Sequence, residues 1–184
     1  MLDIDKINDD VKSMLSEYRY EHSLMVAKCA KDLAIHYNLD SDKAYITGLI
    51  HDIAKEFTDS ENNYYVEKYN IDKKFLTDEY KPVLHGIVGS YYVKEKYNMD
   101  DEVCDSIKYH SLGNVDMTLF NKIILISDKI GRDNADPKLI ELAYTNIDEA
   151  VVYFFEWLKN KFESSGRKLK PETLDVLQKF KKML

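Results

Sequence analysis

From Leu2 to Phe180 apolar residues return every three or four positions, and little in the chain interrupts them. That is the period of an α-helix with one buried face, so such a chain hides its apolar side chains by laying helix on helix. Leu2, Ile4, Ile7, Val11, Met14, Leu15 and Tyr18 form a first stripe, and His22, Val26, Cys29, Leu33 and Tyr37 a second. Only six Gly and three Pro among 184 residues leave too little turn chemistry for a many-stranded sandwich. The expectation is an all-α fold in a single domain spanning residues 1–184, because a chain of this length buries roughly 70% of its unfolded surface around one core.

Local signals place the helix ends. Asn38-Leu39-Asp40 breaks the second helix, and Ser41 followed by Asp42 caps a third that contains GLIHDIAK, residues 48–55. Asp59-Ser60 opens a short polar helix to about Tyr69, and Pro82 suits the first turn of one reaching about Tyr97. Asp100-Asp101 starts the next, which Gly113-Asn114 ends. Met117, Phe120, Ile124 and Asp128 mark another, closed by Gly131 and Asp136-Pro137. Two more follow, near 147–163 and after Pro171, joined by the basic loop SSGRKLKP. Trp157, Phe154 and Phe162 on the first of these suit either a core or the face of a homodimer.

Charge and composition exclude several functions. With 33 acidic against 26 basic residues the net charge is -7, which argues against non-specific nucleic-acid binding. Neither a signal peptide nor a membrane span is expected, so the anticipated location is a reducing cytoplasm. Cys29 and Cys104 stand alone among apolar residues and read as inert buried thiols.

The chemistry lies in a series: His22, His51-Asp52, His85, His110 and Asp128, one station on each of five successive apolar stripes. A lone histidine on such a stripe is more often a satisfied core residue than a ligand. The series reverses that reading, because all five helices aim a ligand-type side chain at one interior. His36, beside the Tyr37-Asn38 helix end, reads as a cap or surface residue. Imidazoles and carboxylates suit Fe, Zn, Mn or Ni better than Ca or Mg, and a set without thiolates argues for an open catalytic site over a structural zinc cage. His22, His51, Asp52 and Asp128 would hold one ion, with His85 and His110 supplying a second or gripping phosphate directly. In a paired site Asp52 is the natural bridge. Lys55, one turn beyond Asp52, and Arg19, one turn before His22, are placed to hold phosphate oxygens at the mouth.

The pattern H…HD…H…H…D resembles the HD-domain metal-dependent phosphohydrolases. The blocks YEHSLMVAKCAKDLA, GLIHDIAKE, VLHGIVGSYYV, IKYHSLGNVDMTLFNKIILISDKI and KLKPETL narrow the likeness, from about residue 19 to 180, to the YqeK family of symmetrical dinucleoside tetraphosphate hydrolases. What the resemblance implies is a helical HD-domain bundle with the metal at its centre. Residues of about 19–134 would form the metal-binding core, and C-terminal helices at about 137–184 would complete the core and nucleotide pocket. It implies an enzyme using one or two iron ions (Zn, Mn or Co as alternatives) to cut diadenosine tetraphosphate into two ADP. Metal ligands would be His22, His51, Asp52 and Asp128, and the catalytic group Asp52, Lys55, His85 and His110. Arg19, His22, Lys55, Glu56, Phe57, Thr58, His85, His110, Asn134, Lys170 and Thr173 would contact the nucleotide. One departure stands out: where the family usually has a segment like IEPxR, this chain has IGRDN, putting Asn134 at the phosphate-binding Arg position and Arg132 two residues before it.

Three rival readings carry their own tests. Another nucleotide (a monophosphate, a dNTP or a cyclic dinucleotide) would use the same scaffold and is separated by a substrate panel. A non-catalytic nucleotide sensor would bind without turnover, and a helical interaction module would purify without metal.

Overall fold

The computed structural model describes residues 4–184, so Leu2 lies outside the described residues. Among them are ten α-helices, one 3-10 turn at Lys73–Leu76, and no strand, so the molecule is all-α. The helices are α1 (Ile4–Met14), α2 (Glu17–His36), α3 (Ser41–Ile50), α4 (Asp59–Lys68), α5 (Lys81–Tyr97), α6 (Asp101–Tyr109), α7 (Leu119–Ile130), α8 (Pro137–Thr145), α9 (Ile147–Ser164) and α10 (Pro171–Met183).

Side-chain caps set most boundaries, and several correct the sequence reading. Asp40, not Ser41, caps α3, accepting from the Asp42 and Lys43 N–H groups. Thr58 and Glu61 close a capping box on α4, and Thr118 and Asn121 do the same on α7, so Met117 lies before that helix. The first stripe buries Ile7, Val11 and Leu15, but the chain breaks at Ser16. Tyr18 therefore belongs to α2 and is exposed. Asp136-Pro137 does not close a helix but opens one: Asp136 caps α8 and Pro137 is its first residue. A proline at a first helical turn and one beyond a helix end read alike in sequence.

Two apolar clusters flank the centre. One gathers Ile7, Val11, Leu49, Ile50, Ile53 and Ile107 from α1, α3 and α6 and the turns after α3. The other joins α7 to α8, α9 and α10 through Leu125, Leu142, Phe155, Leu177 and Phe180. Phe154 belongs to the latter, Phe162 is half-buried, and Trp157 is open to solvent. Cys104 is buried, which pushes its thiol up to about 11, and burial also raises Cys29. No helix of the described residues is long and apolar enough to cross a membrane.

Two glycines allow the close approaches that build the centre. A Cβ on Gly48 would stand 2.8 Å from Ala27 Cα, so α3 lies on the backbone of α2. A Cβ on Gly86 would stand 2.9 Å from the Ile107 carbonyl oxygen, and this contact holds the start of α5, with His85, against the end of α6, with His110.

Candidate active site

The helix expected through Lys55 stops at Ile50. His51 is its C-cap, and the chain continues in turns closed by Ile53 N–H to Ile50 O at 3.1 Å and Lys55 N–H to Asp52 O at 2.8 Å. These tighter bonds carry the His-Asp pair off the end of α3 and into the interior, where His51 is fully buried and Asp52 nearly so.

The stations converge there. His22 Nε2 from α2 lies 3.0 Å from Asp128 Oδ1 on α7, and His51 Nε2 lies 3.6 Å from the same oxygen and 3.8 Å from Asp52 Oδ2. Asp52 Oδ1 lies 2.9 Å from His85 Nε2 and 3.5 Å from His110 Nε2, and those two nitrogens are 3.0 Å apart. Ligand atoms of His22, His51 and Asp128 fall within 4.8 Å of one another, as do those of His51, Asp52 and His110.

The hydrogen bonds behind the rings set which nitrogen faces inward. His51 Nδ1 donates to Gly48 O at 2.7 Å and His110 Nδ1 to Ile107 O at 2.6 Å, leaving each Nε2 with its lone pair toward the cluster. His51 Nε2 is buried without a hydrogen-bond partner. Asp52 Oδ1 is also buried and, despite its approach to His85, has no hydrogen bond aligned on it. Buried acceptors without a partner cost free energy unless a cation meets them, so this donor set fits a divalent metal.

Electrostatics point the same way. Burial opposes ionisation of Asp52, but His51, His110 and His85 outweigh it and hold the carboxyl far below the usual range. Asp128 is likewise depressed against its burial, by Lys129, His22 and His51. Burial draws His85 down to about 4 and lowers His110 too, so both rings are neutral near pH 7.

Comparison with known proteins gives this geometry its context. The HD-domain family model matches residues 19–133. The symmetrical bis(5'-nucleosyl)-tetraphosphatase of Bacillus subtilis is 34% identical over 77% of this chain and 78% of its own length. Its namesake from Halalkalibacterium halodurans is 32% identical over the same shares. The chain belongs to this HD-domain family. The crystal structure of a predicted HD superfamily hydrolase involved in NAD metabolism, from Clostridium acetobutylicum, superposes with a TM-score of 0.91 at 28% identity over 100% of both chains.

A cleft of about 590 Å³ opens onto the HD cluster, lined by His22, Asp52, His110 and Asp128 and by the cations Arg19 and Lys55. Lys55 Nζ lies 3.0 Å from His85 Nε2 and 3.8 Å from Asp52 Oδ1. Arg19 is held at the rim by Glu56, 3.1 Å away, which also accepts from the Ser16 backbone and hydroxyl. Asn134 and Arg132 line the same cleft, and Arg132 donates to Asp128.

Other expected contacts are engaged elsewhere. Phe57 packs edge-on against Tyr92, Thr58 caps α4, and neither lines this cleft. Lys170 pairs with Glu79 at 2.6 Å and Thr173 donates to Leu112 O. Both line a second cleft of about 460 Å³, which shares Ser111 with the first. His36 is exposed at the end of α2, edge-on to Tyr37 and Tyr144. The sequence reading missed Lys129, 2.5 Å from Asp128, and Ser111, whose hydroxyl is 3.1 Å from His110 Nε2. A cation directly after a buried carboxylate was the available signal for Lys129. Ser111 had none.

Proposed function

We propose that this chain hydrolyses dinucleoside tetraphosphates, diadenosine tetraphosphate among them, at the central anhydride to give two nucleoside diphosphates. The observation that carries the reading is a buried His51 Nε2 without a partner amid two aspartates and three further imidazoles, in a chain whose relatives bear that enzyme's name.

His22, His51, Asp52 and Asp128 would hold the metal, for which iron is the choice proposed here, and His85 and His110 would take a second ion or the phosphate. Such a cation activates water near neutral pH and offsets the charge of crowded phosphate oxygens. The chain supplies the rest. Gly48 O and Ile107 O orient the rings of His51 and His110. Lys55, reaching over His85, holds oxygens of the phosphate being cut, and Arg19 catches the chain of phosphates at the rim. His85 and His110, their Nε2 atoms 3.0 Å apart and both beside Asp52, would face the phosphate being cut.

Product analysis tests the proposal. Incubation of the metal-loaded protein with diadenosine tetraphosphate is expected to yield ADP alone. A mixture of AMP and ATP, or no turnover with any transition metal, would refute it.

A further inference from the structure

A single exposed aromatic side chain needs no explanation, but Trp157 belongs to a built groove. The groove, of about 350 Å³, is floored by Tyr153, Phe154 and Trp157, and three residues of its wall, Lys129, Arg132 and Asn134, also line the cleft over the HD cluster. The indole lies within 28° of parallel to the Phe154 ring, centroids 6.1 Å apart. Lys129 Nζ stands 5.1 Å from the Phe154 centroid and 2.5 Å from Asp128 Oδ2, so an unbroken path leads from the cluster to the aromatic floor. This groove and the cleft of Lys170 and Thr173 share no lining residue, yet each borders the central cleft.

We infer that the Trp157 groove is the subsite for the second nucleoside of the substrate. The inference rests on the activity proposed above. A dinucleotide cut at its centre must extend a nucleoside diphosphate in two directions from the reacting phosphorus, and two separate clefts border that point. The half entering here passes Lys129 and Arg132, which now pair with Asp128 and would share their donors with its phosphates, and lays its base on the exposed indole of Trp157.

Trp157 is the only tryptophan in the chain, so intrinsic emission reports this groove directly. Titrating the metal-loaded protein with diadenosine tetraphosphate carrying a methylene at the central bridge is expected to quench that emission saturably. Trp157→Ala should raise KM for diadenosine tetraphosphate about tenfold, the scale of losing one base–aromatic stack, with kcat changing far less, and Trp157→Phe should restore most of the loss. Calorimetric binding of the analogue with unchanged emission, or Trp157→Ala kinetics equal to wild type, overturns the subsite while leaving the parent activity standing. Sedimentation showing that Trp157→Ala splits a dimer would overturn it in favour of an interface between copies. Absence of ADP production by the wild type would instead sink the parent reading and this one together.

Discussion

Lys55 holds an ammonium group where burial works against it. Burial lowers its pKa, Asp52 and Asp128 pull the other way, and the net shift is downward. Asp52, 3.8 Å away, offsets that cost in part, and a phosphate oxygen arriving beside the amine would offset more of it. Lys55→Ala should therefore lower kcat about a hundredfold, as removal of one oxyanion donor does, with bound metal unchanged by elemental analysis. His51→Ala and Asp52→Ala should lose metal and turnover together, and retention of full metal by either would remove it from the ligand set. The roles read from spacing rest on near neighbours in the chain: Arg19 precedes His22 by one turn of α2, and Lys55 follows Asp52 by three residues in the turns after α3. Lys129 escaped because a residue next to a buried stripe reads as solvent-facing, and only the packing of α9 shows its amine enclosed between Asp128 and Phe154.

At the scale of elements, the approach of α3 to α2 matters most, since it delivers His51 to His22. Their rings stand edge to face at 5.5 Å. Alanine is a better helix former than glycine, so Gly48→Ala would stabilise an isolated α3. In the folded protein the added Cβ would meet Ala27 backbone, and the expected outcome is a loss of about 1–3 kcal/mol in urea unfolding. An unchanged midpoint would show that the two helices part freely. The stop of α3 at Ile50 was not legible, because GLIHDIAK has no helix breaker. The hydrogen bonds that divert it, Ile53 N–H to Ile50 O and Lys55 N–H to Asp52 O, join backbone groups that every residue carries. α8 was hidden by the ambiguity of Asp136-Pro137, which looks the same before a helix as after one.

Across the whole molecule, the cluster ties α2, the turns after α3, α5, α6 and α7 through two carboxylates and four imidazoles, with His51 Nε2 and Asp52 Oδ1 left without a hydrogen bond. A cation bound there is linked to folding. Exhaustive chelation should lower the Tm, and restoring metal at about a thousand times its Kd should return about 4 kcal/mol, read by calorimetry on the same sample. A Tm insensitive to chelation would separate the cluster from metal binding. The all-α class was determined by the chain alone, since apolar periodicity is a local property, and the His and Asp stations that meet at the centre were legible as residue types on successive stripes. Three things were decided only in the tertiary structure: which nitrogen of each histidine faces inward, which cations enclose the carboxylates, and that two further clefts border the central one. The reason is physical: His22 and Asp128 meet across 106 positions of chain, and no local rule of helix period or capping bears on a distance closed by packing.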